Sequence, residues 1–132
     1  MGRVVHFEIQ VDDMDRAKEF YGSVFGWQFQ DWSSSVGGAV YWGAITGPDD
    51  EMGINGGLLM RPAATPGPMQ GTNAYVCTMA VDDYDATEKK ILDAGGVVAL
   101  PKMALTGMAW QGYYLDTEGN TFGIHQPDPE AK

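Results

Sequence analysis

His6, Glu8 and Gln10 alternate with Val5, Phe7, Ile9 and Val11 along the start of the chain. A period of two is that of a β-strand, so the three polar side chains share one face and the four apolar ones the other. An imidazole, a carboxylate and an amide on one face can hydrogen-bond a small molecule, move a proton, or contribute to a metal's coordination shell. Shelter from water disfavours a carboxylate's charged form and makes it a better proton acceptor, so Glu8 is the candidate general base and His6 its acid–base partner. The competing readings are a hydrated carboxylate at a cleft rim and a histidine tolerated among polar neighbours. His125, the other histidine of the chain, would with His6 and Glu8 complete a two-histidine, one-carboxylate set suited to Fe(II) or Zn. Against this stands a histidine on the C-terminal surface.

These residues need a sheet and something to cover its apolar side. Val11-Asp12-Asp13-Met14-Asp15 returns 70 residues later as Val81-Asp82-Asp83-Tyr84-Asp85, and the same spacing relates Gly26 to Gly96 without a gap. The chain therefore repeats one unit twice. In the first copy Asp12 or Asp13 caps a helix whose apolar stripe is Met14, Ala17, Phe20, Tyr21, Val24 and Phe25, and Gly26 ends it. The second helix runs from about Asp83 to Ala94, with Tyr84, Thr87, Ile91 and Ala94 inward, and Gly95-Gly96 stops it. Tyr75, Cys77, Met79 and Val81 alternate in the strand before it, which places Cys77 on the helix side as an inert core thiol.

Three strand-like runs follow each helix: 27–32, 39–46 and 54–60, then 97–102, 108–115 and 121–126. Turn signals separate them, among them the acidic run 116–120, which lacks the glycine of a calcium loop. The order is βαβββ twice: unit one over 3–60, a Pro- and Gly-bearing linker over 61–72, and unit two over 73–127, all in a single domain spanning 1–132. The expected fold class is α+β, with the two tandem units forming a cupped eight-stranded mixed sheet. Each helix covers one face. Val5, Phe7, Ile9 and Val11 should lie under the first helix, and His6, Glu8 and Gln10 should face the hollow. Val76 and Thr78 match His6 and Glu8 in the repeat and are expected to line it too. Trp42 and Trp110, in the third strand of each unit beside Tyr41, Tyr113 and Tyr114, either stack on a flat ligand or pack the core.

Bulk properties narrow the classes. The 132 residues are 44% hydrophobic and 20% charged, the balance of one globular domain. A net charge of −10 opposes nucleic acid, and no apolar run is long enough to span a membrane. The start of the chain is not read as a signal peptide, and the lone Cys77 fits a reducing, cytoplasmic setting.

With these elements in place the chain resembles the vicinal oxygen chelate superfamily of glyoxalases, bleomycin-resistance proteins and extradiol dioxygenases, and within it the small bacterial glyoxalase-like proteins. The carrying residues are His6-Phe7-Glu8-Ile9, Asp13-Met14-Asp15-Arg16-Ala17-Lys18-Glu19-Phe20-Tyr21, Phe25-Gly26-Trp27, Gly56-Gly57-Leu58, Ala94-Gly95-Gly96 and Asp116-Thr117-Glu118-Gly119-Asn120-Thr121-Phe122-Gly123. The resemblance implies two βαβββ units around a cup and, in the metalloenzymes, a divalent ion held from the first and last strands of each unit. Those positions fall here on His6, on Gly56 or Gly57, on Val76 and on Gly123, so three of the four carry no donor side chain. A catalytic metal needs about three protein ligands. The expectation is therefore a small-molecule ligand, apolar or aromatic, bound without a metal or other cofactor. Its site would comprise His6, Glu8, Gln10, Trp42, Val76, Thr78, Trp110 and His125. The alternative is a metal-dependent or acid–base lyase, isomerase or dioxygenase using His6, Glu8 and His125. The resemblance also implies a homodimer.

Overall fold

The computed structural model describes residues 2–65, 75–115, 117 and 120–132. The chain is α+β, and the described residues form two α-helices and eight strands in the order βαβββ twice. Packing divides it into an N-terminal unit, His6–Tyr75, and a C-terminal unit, Val76–Lys132 together with the residues up to Val5.

The N-terminal unit carries β1 (Val4–Val11), α1 (Met14–Phe25), β2 (Gln28–Asp31), a short 3₁₀ turn (Ser33–Val36), β3 (Tyr41–Ile45) and β4 (Gly56–Met60). Its strand order is β2-β3-β4-β1, with β1 parallel to β4 and the other neighbours antiparallel. Phe7, Ile9, Val11, Ala44 and Leu58 are buried on one face, against Met14, Ala17 and Tyr21 of α1. His6, Glu8 and Gln10 therefore lie on the opposite, helix-free face, as their alternation requires. Val5, expected beneath α1, is 43% exposed and groups with the C-terminal unit. Phe20, Val24 and Phe25, also expected inward, are more than half exposed, because only one side of the wide apolar stripe meets the sheet. Tyr75, expected in the second unit, packs instead on Phe7 of the first. Burial and a hydrogen bond to the Tyr21 hydroxyl, 3.0 Å away, push its phenol up to about 12.

The C-terminal unit carries β5 (Val76–Ala80), α2 (Tyr84–Asp93), β6 (Val97–Leu105), β7 (Ala109–Leu115) and β8 (Thr121–Pro127). The order is β5-β8-β7-β6, again with its first and last strands, β5 and β8, parallel. The strand β6 runs past its expected end, with register shifts on either side of Leu100 close to Pro101, which has no N–H for the ladder. Val81, Tyr84, Tyr114 and Ile124 form the core under α2, with Ile91, Trp110 and Phe122 against them. Cys77 pairs with Phe122 on this helix side, half-buried, whereas Ala94 is an exposed cap.

The two helices start alike. Asp13 accepts a hydrogen bond from the Arg16 N–H and Asp83 one from the Ala86 N–H, both at 3.0 Å. Each satisfies an amide that the first turn cannot pair. Asp12 instead takes hydrogen bonds from Thr65 and from Arg61 Nε, which lie at the start of the expected linker. The Thr65 hydroxyl, more than the Arg61 guanidinium, holds its carboxyl below the usual range. Residues 66–72 of that linker, and the acidic turn at 116, 118 and 119, lie outside the described residues. Replacing either cap, Asp13→Ala or Asp83→Ala, is expected to cost about 1 kcal/mol in urea unfolding, whereas Asp82→Ala should cost far less.

Candidate functional site

Two glycines floor the helix-free face of the N-terminal unit. Register places Glu8 beside Gly57, Gly57 beside Gly43, and Gly43 beside Gln30, in one row across β1, β4, β3 and β2. The middle of the row has no side chains, and two aromatic rings lean over it. A Cβ on Gly57 would stand 2.1 Å from the Tyr41 hydroxyl, and one on Gly43 would stand 2.4 Å from the Trp32 indole. Tyr41 Oη is 2.7 Å from His6 Nε2, with the two rings stacked. Trp32 Nε1 donates to Gln30 at 3.3 Å. Glu8, only 7% exposed, completes the group. An imidazole, a phenol and a carboxylate are thus gathered on one face of the sheet, an arrangement that can hydrogen-bond a ligand's polar group or pass a proton.

The C-terminal unit repeats this frame with other chemistry. Thr78 pairs with Gly123, Gly123 with Tyr113, and His125 with Gln111. These residues share the face opposite Tyr114 and Ile124, away from α2. Thr78 is 1% exposed and Gln111 7%, and His125 Nδ1 lies 2.8 Å from Gln111 Oε1. Burial holds the His125 imidazole below its ordinary value of 6.5. Because the unfolded chain then takes up the proton more readily than the fold, stability should fall as pH drops below 6.5 and level off once the folded ring also titrates. Urea midpoints measured from about pH 8 down to about pH 5 should show that decline, and His125→Asn should flatten it.

Several expected site residues lie elsewhere. Trp42 pairs with Leu58 and packs against the α1 core, with Lys18 Nζ 3.5 Å above its ring. Trp110 packs against the α2 core, its indole N–H donating to Asp128 at 2.9 Å and Lys102 Nζ 4.6 Å from its ring. Both are on helix-covered faces, because the strand register turns them there, and they are structural. Gln10 has its backbone carbonyl bound by Arg61, and it borders a surface hollow with Arg16, Phe20 and Tyr21. A second hollow, over residues 46–55, contains none of the expected site residues. Val76 is half-buried, two residues before Thr78 on the same strand. Tyr41, Trp32, Gln111 and Tyr113 were absent from the expected set. The repeat offset relates Tyr41 to Gln111, and each leans its polar tip over its unit's glycine.

The metal positions that the resemblance implies are filled by other groups. Gly57, not Gly56, shares the Glu8 face, since Gly56 pairs with Phe7. The space for a side chain is taken by Tyr41 at Gly57, and by Thr78 Oγ1 and Gln111 Nε2, 2.6 and 2.8 Å from a Cβ, at Gly123. Val76 has no donor. These residues do not fit the divalent ion of the metalloenzymes. Among the described residues no three or more His, Cys, Asp and Glu side chains gather into a metal-holding group. For the alternative set, His6 and Glu8 stand in the N-terminal unit and His125 in the C-terminal one.

Comparison with known proteins agrees with the frame. Residues 3–34 match the bleomycin resistance protein-like N-terminal family. The chain is 32% identical over 119 residues to the "Putative glyoxylase CFP32" of Mycobacterium tuberculosis, covering 90% of this chain. It spans only 43% of that relative's length. Methylmalonyl-CoA epimerase from M. tuberculosis superposes with a TM-score of 0.63 at 18% identity, over 97% of this chain and 89% of the epimerase. A glyoxalase/bleomycin resistance protein/dioxygenase superfamily member from Vibrio splendidus gives 0.60 at 17% identity, over 96% and 99%. No helix among the described residues is long and apolar enough to cross a membrane. The chain has the fold of the glyoxalase/bleomycin resistance protein/dioxygenase structures, and over most of its length its sequence is similar to that of a putative glyoxylase.

Proposed function

We propose that the chain binds a small apolar or aromatic molecule on its helix-free sheet surface without a resident metal, holding the molecule's polar part with His6, Glu8 and Tyr41. The observation that carries this reading is the His6–Tyr41 hydrogen bond beside a buried Glu8, made where the Tyr41 ring crosses Gly57. A carboxylate, an imidazole and a phenol gathered on one sheet face suit the polar part of a small ligand. A homodimer and a cytoplasmic setting belong to the proposal by family likeness.

A second reading is an acid–base isomerase or lyase. It is favoured by the proximity of a phenol, an imidazole and a carboxylate, and by the structural neighbours named as epimerases. Metal analysis after gentle purification, alongside His6→Ala, separates the metal-dependent form of that reading from metal-free binding. Sub-stoichiometric metal in both proteins supports the proposal; one equivalent that disappears with His6 rejects it. Proton exchange at carbon in trial carbonyl compounds, abolished by Glu8→Gln, would favour the acid–base enzyme.

A further inference from the structure

Thr78 Oγ1 is buried and has no hydrogen-bond partner among the described residues. A buried hydroxyl left unpaired costs about 1–3 kcal/mol, and folds retain such groups where something else pairs them. The hydroxyl sits over Gly123, and Gln111 Nε2 reaches the same place. The other end of that amide, Oε1, faces His125 Nδ1. An amide oxygen only accepts, so Nδ1 carries the ring proton and donates, and the NH₂ group is left turned toward the glycine. Two neighbouring rows hold the group, Thr78, Gly123 and Tyr113 in one and Ala80, His125 and Gln111 in the other, and none of these six is a carboxylate.

We propose that Thr78 and Gln111 form a two-donor site over Gly123 for one acceptor oxygen of a ligand, a carbonyl or carboxylate, with His125 as the positioning residue that orients the amide. Two fixed donors on one oxygen supply, by hydrogen bonding, part of the polarisation that a metal ion provides. The glycine is required because any side chain there would meet both donors. The site stands apart from the reading of His6, Glu8 and Tyr41, since its residues all belong to the C-terminal unit. The repeat relates Thr78 to Glu8 and Gln111 to Tyr41. One copy of the frame therefore offers a carboxylate acceptor beside its glycine, and the other a hydroxyl and an amide NH₂.

The test is nitrogen and proton NMR of the full chain, titrated with acetate and with N-methylacetamide, and with ethylammonium as the control cation. The expected result is an Nδ1–H tautomer at His125 and a saturable downfield shift of the Gln111 side-chain amide. Saturation should come in the millimolar range proper to ligands of a few atoms. Acetate acting alone identifies a carboxylate, and N-methylacetamide acting as well identifies a carbonyl. Thr78→Val keeps the shape and removes one donor, so it should weaken binding about ten-fold while leaving the ligand-free protein equally or more stable. An Nε2–H tautomer, a Gln111 amide indifferent to both oxygen probes, or a Thr78→Val protein that loses stability would each overturn the proposal.

Discussion

Gly112→Ala is expected to destabilise the protein by about 3–5 kcal/mol, the sum of overpacking a core and disrupting buried hydrogen bonds. A Cβ at Gly112 would stand 1.8 Å from the Tyr84 hydroxyl and 3.1 Å from its ring carbon. A flexible surface side chain could swing away, but Tyr84 is fully buried, and its hydroxyl lies 2.7 Å from that of Tyr114, which in turn donates to Glu88. Its backbone N–H is also held, by Gln126 at 2.7 Å. Burial, with Glu88 as acceptor, pushes the Tyr114 phenol far up, and burial raises that of Tyr84, so both phenols stay protonated through the neutral range. A loss of this size is a large fraction of the 5–15 kcal/mol that holds a typical domain together. Urea unfolding measures it. Gly47→Ala is the control, because its added Cβ meets nothing within 4 Å, and it should leave the midpoint almost unchanged.

Gly57→Ala should have the largest effect on the candidate site. Its Cβ would occupy the position of the Tyr41 hydroxyl. Unlike Tyr84, Tyr41 is only half-buried, so the ring can move off at a stability cost of about 1 kcal/mol. That movement parts it from His6 Nε2. Ligand affinity is expected to drop ten-fold or more, about 1.4 kcal/mol, with a matching change in the His6 ring nitrogen resonances. Tyr41→Phe should reproduce the loss of affinity without the steric cost. If Gly57→Ala binds ligand normally while Tyr41 has visibly shifted, the His6–Tyr41 pair is not part of the site.

The repeat and the alternation of β1 were legible because they depend on local periodicity. Asp13 and Asp83 cap as their spacing implies, and Phe7, Ile9 and Val11 face α1 while His6, Glu8 and Gln10 do not. What escaped was which face each third strand turns to its helix. Trp42 and Trp110 sit in aromatic-rich strands whose parity is fixed only by pairing with Leu58 and with Gln126. Gly43, Gly57 and Gly123 resemble turn punctuation in a sequence, yet they mark where another side chain crosses the sheet. Tyr41 and Gln111 could have been found from the 70-residue offset, since each stands over a glycine at a matching place. The width of α1's apolar stripe misled for a different reason: helical periodicity shows which residues share a side, not how much of it the sheet can cover.

The most direct test of the central claim is a ligand-induced chemical-shift map, taken with an aromatic carboxylate in buffer containing a chelator. Metal-free binding on the helix-free face of the N-terminal unit predicts the largest shifts at His6, Glu8 and Tyr41, unchanged by the chelator. Shifts confined to the loop over residues 46–55 or to α1, or binding that the chelator abolishes, would contradict it.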